Sequence, residues 1–307
     1  VLIAFLSVLP IFSVMALGYA SVRFRLIGER TGEGLADYVF VIAIPVLLFR
    51  SLATAKLPDV QPWPFWISYF AVLAAVWAIA TICARVLFAR SREEGVVAGI
   101  STGYANLVLI GIPLTLRVFG EEGTIPLFLL IAIHTPVTIA IATLLVESAA
   151  TGSGKALAIG RKLARNPIIL GILAGVAWRA LGPPLPEPIL ATLKFIGDSA
   201  APGAIFAMGA ALNRYGFGGE PRLLALIISL KLLIHPFGVW LLASQVFGLP
   251  PVWTAVATVL AACPCGLNAY LFAERNKVGL ALASGAIAIS TVLSVVTITF
   301  WISFVKG

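Results

Sequence analysis

The sequence predicts an all-α integral membrane protein: ten transmembrane helices in two inverted five-helix repeats, with a broken fourth helix and a broken ninth helix that cross. Three observations carry that expectation. Hydrophobic residues make up 60% of the 307 and charged residues only 11%, whereas a water-soluble surface uses roughly a quarter charged residues. Apolar windows that suit the roughly 20 residues of a bilayer crossing recur ten times. Proline and glycine also repeat in one register in the two parts of the chain, where they fix backbone geometry.

The windows lie near 1–24, 34–55, 62–89, 94–119, 123–147, 167–182, 187–212, 220–248, 250–273 and 278–305. The first lacks the basic leader and small-residue cleavage site of a signal peptide, so it reads as a spanning helix. The sixth is short and is stopped by Pro183, Pro184, Pro186 and Pro188. A shift of 157 residues pairs Pro10 with Pro167, Gly18 with Gly175, Pro45 with Pro202 and Phe49 with Phe206. The chain therefore divides into a first repeat over 1–148, a linker over 149–166 and a second repeat over 167–307. Five helices per repeat is an odd number, so the second enters the membrane from the opposite side, as in many secondary transporters.

Net charge is +8. The basic residues cluster in short loops between apolar spans, which is an orientation signal and not a nucleic-acid footprint. Fourteen of the 21 Lys and Arg fall in one set of loops and six in the other, placing both termini on the extracytoplasmic side of the plasma (inner) membrane. Cys83, Cys263 and Cys265 form no C-x-x-C pair, so neither a disulfide framework nor a zinc site is indicated. Phosphate-binding loops, H-E-x-x-H and G-x-S-x-G patterns are missing and only two histidines occur, which argues against an enzyme and gives no reason to expect a metal or cofactor.

Candidate site residues cluster where the fourth and ninth windows are interrupted. The run from Gly103 through Tyr104, Asn106 and Gly111 to Pro113 has its counterpart in Pro264, Gly266 and Asn268. Proline and glycine free backbone groups there, and such groups cost several kcal/mol each in hydrocarbon unless satisfied. A polar cavity or a ligand would satisfy them, and half-helix amino termini favour a carboxylate. Asn106 and Asn268 add amides that either donate to the ligand or close the backbone. Lys231 sits deep in an apolar helix, where it either neutralises the carboxyl ends of the half-helices or attracts an anion. Asp198 lies one turn before Pro202 and has a coupling role or, near a helix start, a capping one. His134, beside Pro136, either faces the pocket or packs. Pro45 and Pro202 should kink the second and seventh helices.

Taken together, Ile44-Pro45, Asn106 with Gly111-x-Pro113, Pro202 with Gly209-Ala210-Ala211-Leu212, Lys231 with Pro236, and Pro264 with Asn268 resemble the auxin efflux carrier family over nearly the full chain. The short central linker resembles its bacterial branch. The resemblance implies a scaffold and a mobile crossing domain of the bile acid and sodium–proton antiporter architecture, alternating access by an elevator-like movement. It also implies a small carboxylate substrate, auxin-like or malonate- or malate-like, flanked by Asn106 and Asn268 with His134 nearby, and a possible homodimer. A sodium-coupled symporter or cation/proton exchanger of the same architecture, or a non-transporting membrane sensor, are the alternatives to test.

Overall fold

The computed structural model describes residues 2–54, 60–147 and 165–306. All secondary structure among them is helical apart from one isolated bridge between Ala105 and Cys265. In chain order the helical segments are α1 (Leu2–Arg23), α2 (Glu29–Thr54), α3 (Pro62–Val86), α4 (Arg92–Gly103), α5 (107–119), α6 (Thr124–Glu147), α7 (Pro167–Leu181), α8 (Glu187–Leu212), α9 (Pro221–Val246), α10 (Pro251–Ala261), α11 (Asn268–Asn276) and α12 (Leu280–Lys306). The expected linker, 149–166, lies outside the described residues except for its last two. Of these, Asn166 caps α7 by accepting the Ile168 N–H at 2.9 Å.

Seven stretches among the described residues are long and apolar enough to cross a membrane, one of them, Leu107–Ala142, taking in both α5 and α6. Pro167–Leu181 and Pro251–Ala261 are apolar but shorter. The ten sequence windows thus reduce to a coarser statement, a helical bundle with many candidate spans. Two windows are cut by breaks at 104–106 and 262–267, and α5 ends at Gly120, whose positive φ and the 3₁₀ turn Gly120–Gly123 fold α6 back against it.

Proline explains much of the local irregularity. A ring at position i clashes with the carbonyl at i−4 and removes a donor, and a π-helical turn, with its extra residue, makes room for it. Three such turns, Val39–Ala43, Leu107–Gly111 and Leu230–Ile234, each end two residues before a proline: Pro45, Pro113 and Pro236. Pro202 meets the same constraint by a fuller interruption, a non-helical turn at Ser199 that separates Glu187–Asp198 from Ala200–Leu212.

Helix pairs from the two parts of the chain pack most tightly, α1 on α8 and α2 on α7. Glycine makes this possible. A Cβ on Gly18 would run into the Phe206 carbonyl and one on Gly209 into the Met15 carbonyl, both across the α1–α8 seam. Across α2–α7, a Cβ on Gly171 would stand 2.7 Å from the Pro45 carbonyl, and one on Gly175 would stand 2.8 Å from the Phe49 carbonyl. Small residues at such seams let backbones approach where lipid offers no hydrophobic drive for helix association. The segments carrying the breaks gather beside this group, with α5 and α12 lying against α1 and α5 also against α8. Gly209→Val should therefore lower stability by about 1–3 kcal/mol through overpacking. Gly34→Ala, whose new Cβ would meet nothing within 4 Å inside a helix, should instead raise it by up to about 1 kcal/mol; thermal unfolding in detergent reads both.

Candidate functional site

The two breaks meet. Tyr104 ends α4 in an extended conformation and Asn106 opens α5, while residues 262–267 separate α10 from α11. Ala105 and Cys265 face each other as an antiparallel bridge. The Asn106 N–H donates to the Pro264 carbonyl at 2.9 Å, and the Gly266 N–H donates to the Tyr104 carbonyl at 2.8 Å. The Cys265 N–H is taken by the Ser290 hydroxyl of α12 at 3.0 Å. Backbone groups freed by proline and glycine are thus satisfied largely by one another, where the sequence alone suggested a cavity or a ligand. Gly266 is required by this approach, because a Cβ there would enter the Tyr104 ring.

Side chains complete the crossing. Asn106 is buried; its Oδ1 accepts the Leu109 N–H at 3.3 Å, capping α5, and its Nδ2 reaches the Met208 sulfur of α8 at 3.2 Å. Asn268, the first residue of α11, donates to the Tyr104 hydroxyl. That hydroxyl also pairs with Thr135 of α6 at 2.9 Å. A narrow cavity of about 70 Å³ lies here, lined among others by Phe40, Tyr104, Asn106, Thr135 and Asn268. It has room for a couple of waters at ~30 Å³ each, well short of the roughly 300 Å³ of an ordinary small-molecule pocket.

Lys231 is fully buried in α9. Its ammonium donates to the Ala261 carbonyl at the carboxyl end of α10, at 3.1 Å, and lies 3.3 Å from His235 Nδ1. A cation at a helix carboxyl terminus offsets the partial negative charge there. His134 packs on the Tyr104 ring, with 5.0 Å between centroids, but Thr135, and not His134, lines the cavity.

The remaining candidates stand elsewhere or act as backbone. Pro113 and Pro264 shape α5 and the second break. Gly111 is buried, where a Cβ would meet Leu260 at 2.9 Å. Pro45 and Pro202 do not line the cavity; the Pro45 carbonyl faces Gly171 instead. Asp198 is half-exposed and pairs with Lys194 at 2.5 Å and Arg50 at 3.5 Å, so it is not brought to the crossing. Thr135, Met208, Ser290 and Phe40 were not singled out from the sequence. Only a hydroxyl or sulfur in an apolar helix could have marked the first three, and many other positions share that mark.

Comparison with known proteins fits this geometry. A family model described as "Membrane transport protein" matches residues 3–157 and 155–302. The chain belongs to the auxin efflux carrier family. A member of that family is a multi-pass membrane protein, in keeping with the apolar helices. Relatives include a Rhizobium meliloti (strain 1021) protein named "Putative malonate transporter", 27% identical over 95% of this chain and 92% of its own length. A Methanothermobacter thermautotrophicus protein named "Uncharacterized transporter" is 26% identical over 96% of both chains. Auxin efflux carrier component 1 of Arabidopsis thaliana is 27% identical over 47% of this chain and 24% of its own length.

Loss of the Ser290 hydroxyl would leave the buried Cys265 N–H unpaired, at a cost of about 1–3 kcal/mol. Ser290→Ala should accordingly lower the unfolding temperature, whereas Thr297→Ala, on an exposed stretch of the same helix, should not.

Proposed function

We propose that this auxin efflux carrier family protein is a secondary carrier of small carboxylates, with the anion bound at the crossing between Asn106 and Asn268. The observation that carries the reading is the convergence of two half-helix amino termini, α5 and α11, on one cavity lined by two asparagine amides and no acidic side chain. Exposed N–H groups and the positive ends of the helix dipoles suit a carboxylate, and asparagine amides donate to it without bringing a charge to be neutralised when the site is empty. The name of the Rhizobium relative points to malonate as the first substrate to try.

Alternating access follows an elevator-like course in this reading. Helices α1, α2, α7 and α8 form the scaffold, held by glycine against carbonyl, and the segments carrying the breaks move against it. Across that boundary the crossing residue Asn106 holds the scaffold through one hydrogen bond to the Met208 sulfur, an acceptor far weaker than oxygen. The cavity widens as the parts separate, because its present volume is too small for a dicarboxylate.

Two inverted repeats, 1–148 and 167–307, underlie the arrangement. Adding 157 to Gly18 and subtracting 157 from Phe206 turns the Gly18–Phe206 contact into Gly175–Phe49, which is also present. In this reading both termini lie outside the plasma membrane, as the excess of Lys and Arg in the opposite set of loops favours, and the exposed apolar faces of α1 and α7 leave room for a homodimer.

Purified protein in liposomes should take up radiolabelled malonate saturably. Asn106→Ala and Asn268→Ala should each reduce malonate binding about tenfold or more, as expected when a charge-assisted hydrogen bond worth about 1.5–3 kcal/mol is lost, while circular dichroism stays unchanged. Full binding by both variants would reject the site. Sodium flux without any organic anion would favour a cation exchanger instead, and binding without flux a sensor.

A further inference from the structure

Behind the Tyr104 ring lies a chain of buried polar side chains that the carboxylate site does not use. His134 of α6 packs against Tyr104 on one side and against Tyr69 of α3 on the other, with ring centroids 5.0 and 5.7 Å away. Tyr69 in turn packs on His235 of α9 at 5.1 Å, and His235 Nδ1 lies 3.3 Å from the Lys231 ammonium. Four elements therefore bring Tyr104, His134, Tyr69, His235 and Lys231 into one contiguous line that runs from the cavity to the carboxyl end of α10.

The line is poor in partners. His134 is 1% exposed; its ring interacts with the Gly103 backbone and has no side-chain hydrogen-bond partner among the described residues. The Tyr69 hydroxyl and His235 Nε2 are buried and unpaired. Buried polar atoms are paired in the great majority of cases, which sets this cluster of polar side chains apart from the apolar packing around it. The titratable groups that face the cluster are Tyr69 from α3, Tyr104 from the first break, Cys263 and Cys265 from the second, and Lys231 and His235 from α9. No carboxylate pairs with Lys231 among the described residues. An ammonium held by the Ala261 carbonyl disfavours a second positive charge on His235 beside it. His134 packs instead on Tyr104, which lines the cavity, and is the imidazole nearest a bound anion.

We propose that His134 is the proton site of the carrier, linked through Tyr69 to the His235–Lys231 pair, so that one proton travels with each bound anion. The proposal rests on the carboxylate reading of the crossing. A proton enters from the aqueous face with the anion, binds an imidazole nitrogen of His134, and leaves from the same nitrogen to water on the other face when the anion departs. Only that N–H bond forms and breaks, and net movement is one anion with one proton. The reason is electrostatic: in a low-dielectric interior an imidazolium stacked on the tyrosine that Asn268 holds is stabilised by an anion at Asn268 and destabilised without it. His235 and Lys231 are positioning residues, which confine the mobile proton to His134.

The test uses malonate with the full-length protein. Its dissociation constant is measured from about pH 7 to pH 9, where both malonate carboxyls stay ionised, and the lumenal pH of proteoliposomes is followed with a trapped dye during uptake. Wild type should bind more weakly by up to about tenfold per pH unit and should acidify the lumen as malonate enters. His134→Gln should flatten the binding profile and abolish the acidification. His134→Phe keeps the ring contacts, serves if the first variant does not fold, and should give the same result. A flat profile and no acidification in wild type, with normal malonate binding, overturns the proton site and leaves the carboxylate site standing. Coupling that survives in a folded His134 variant also overturns it. No malonate binding at any pH defeats the carboxylate reading and the proton site with it.

Discussion

The mutual pairing of two broken helices is the constraint on which the rest depends. Unwinding a helix in a low-dielectric interior exposes amide and carbonyl groups with no water to take them. Here each break supplies what the other lacks, through Asn106 to Pro264 and Gly266 to Tyr104. Neither segment could unwind alone without a penalty of several kcal/mol. The crossing therefore behaves as one unit. Segments α4, α5, α10 and α11, distant in sequence, are tied at a single point, and the surroundings are arranged to hold it. Ser290 takes the Cys265 amide, Lys231 takes a carbonyl at the end of α10, and the small residue at 266 lets Tyr104 close over the bridge.

Around this tie the chain separates two kinds of packing. The seams α1–α8 and α2–α7 bring backbone against backbone, a contact with no slack and little tolerance for an added methyl. The side chains from Tyr104 to Lys231 meet instead through aromatic rings and one contact of His235 with the ammonium. In the proposed carrier, stability and function then draw on different residues.

Much of the fold was legible because proline and glycine report on the backbone directly. The breaks fall where Gly103 to Pro113 and Pro264 to Asn268 marked them, and the π turns precede prolines visible in the sequence. The number of spans was not legible in the same way, since hydropathy averages over a break and cannot see that residues 104–106 and 262–267 leave the helix. At the site, Asn106, Asn268 and Tyr104 stood out as polar residues beside a break, and the structure places them together. Tyr69 did not stand out, because one tyrosine in Trp66-Ile67-Ser68-Tyr69-Phe70 looks like any interfacial aromatic until α6 and α9 bring histidines to it. Asp198 drew notice through its distance from Pro202 along the chain. Only the fold reveals Arg50 of α2 beside it, joining Lys194 one turn earlier in α8.

The choice of Met208 as the acceptor for Asn106 has an energetic consequence of its own. A site that must release water before receiving an anion faces a desolvation cost set by how well its donors are occupied beforehand. An amide resting on an oxygen would surrender a strong bond to bind the guest, and recognition would be weakened by that exchange. In the carboxylate reading, a thioether, soft, polarizable and a poor acceptor, keeps the Asn106 amide oriented and concedes it to an incoming oxygen with little loss. On that reading the donor is stored in a ready state, aimed by sulfur and free to be claimed.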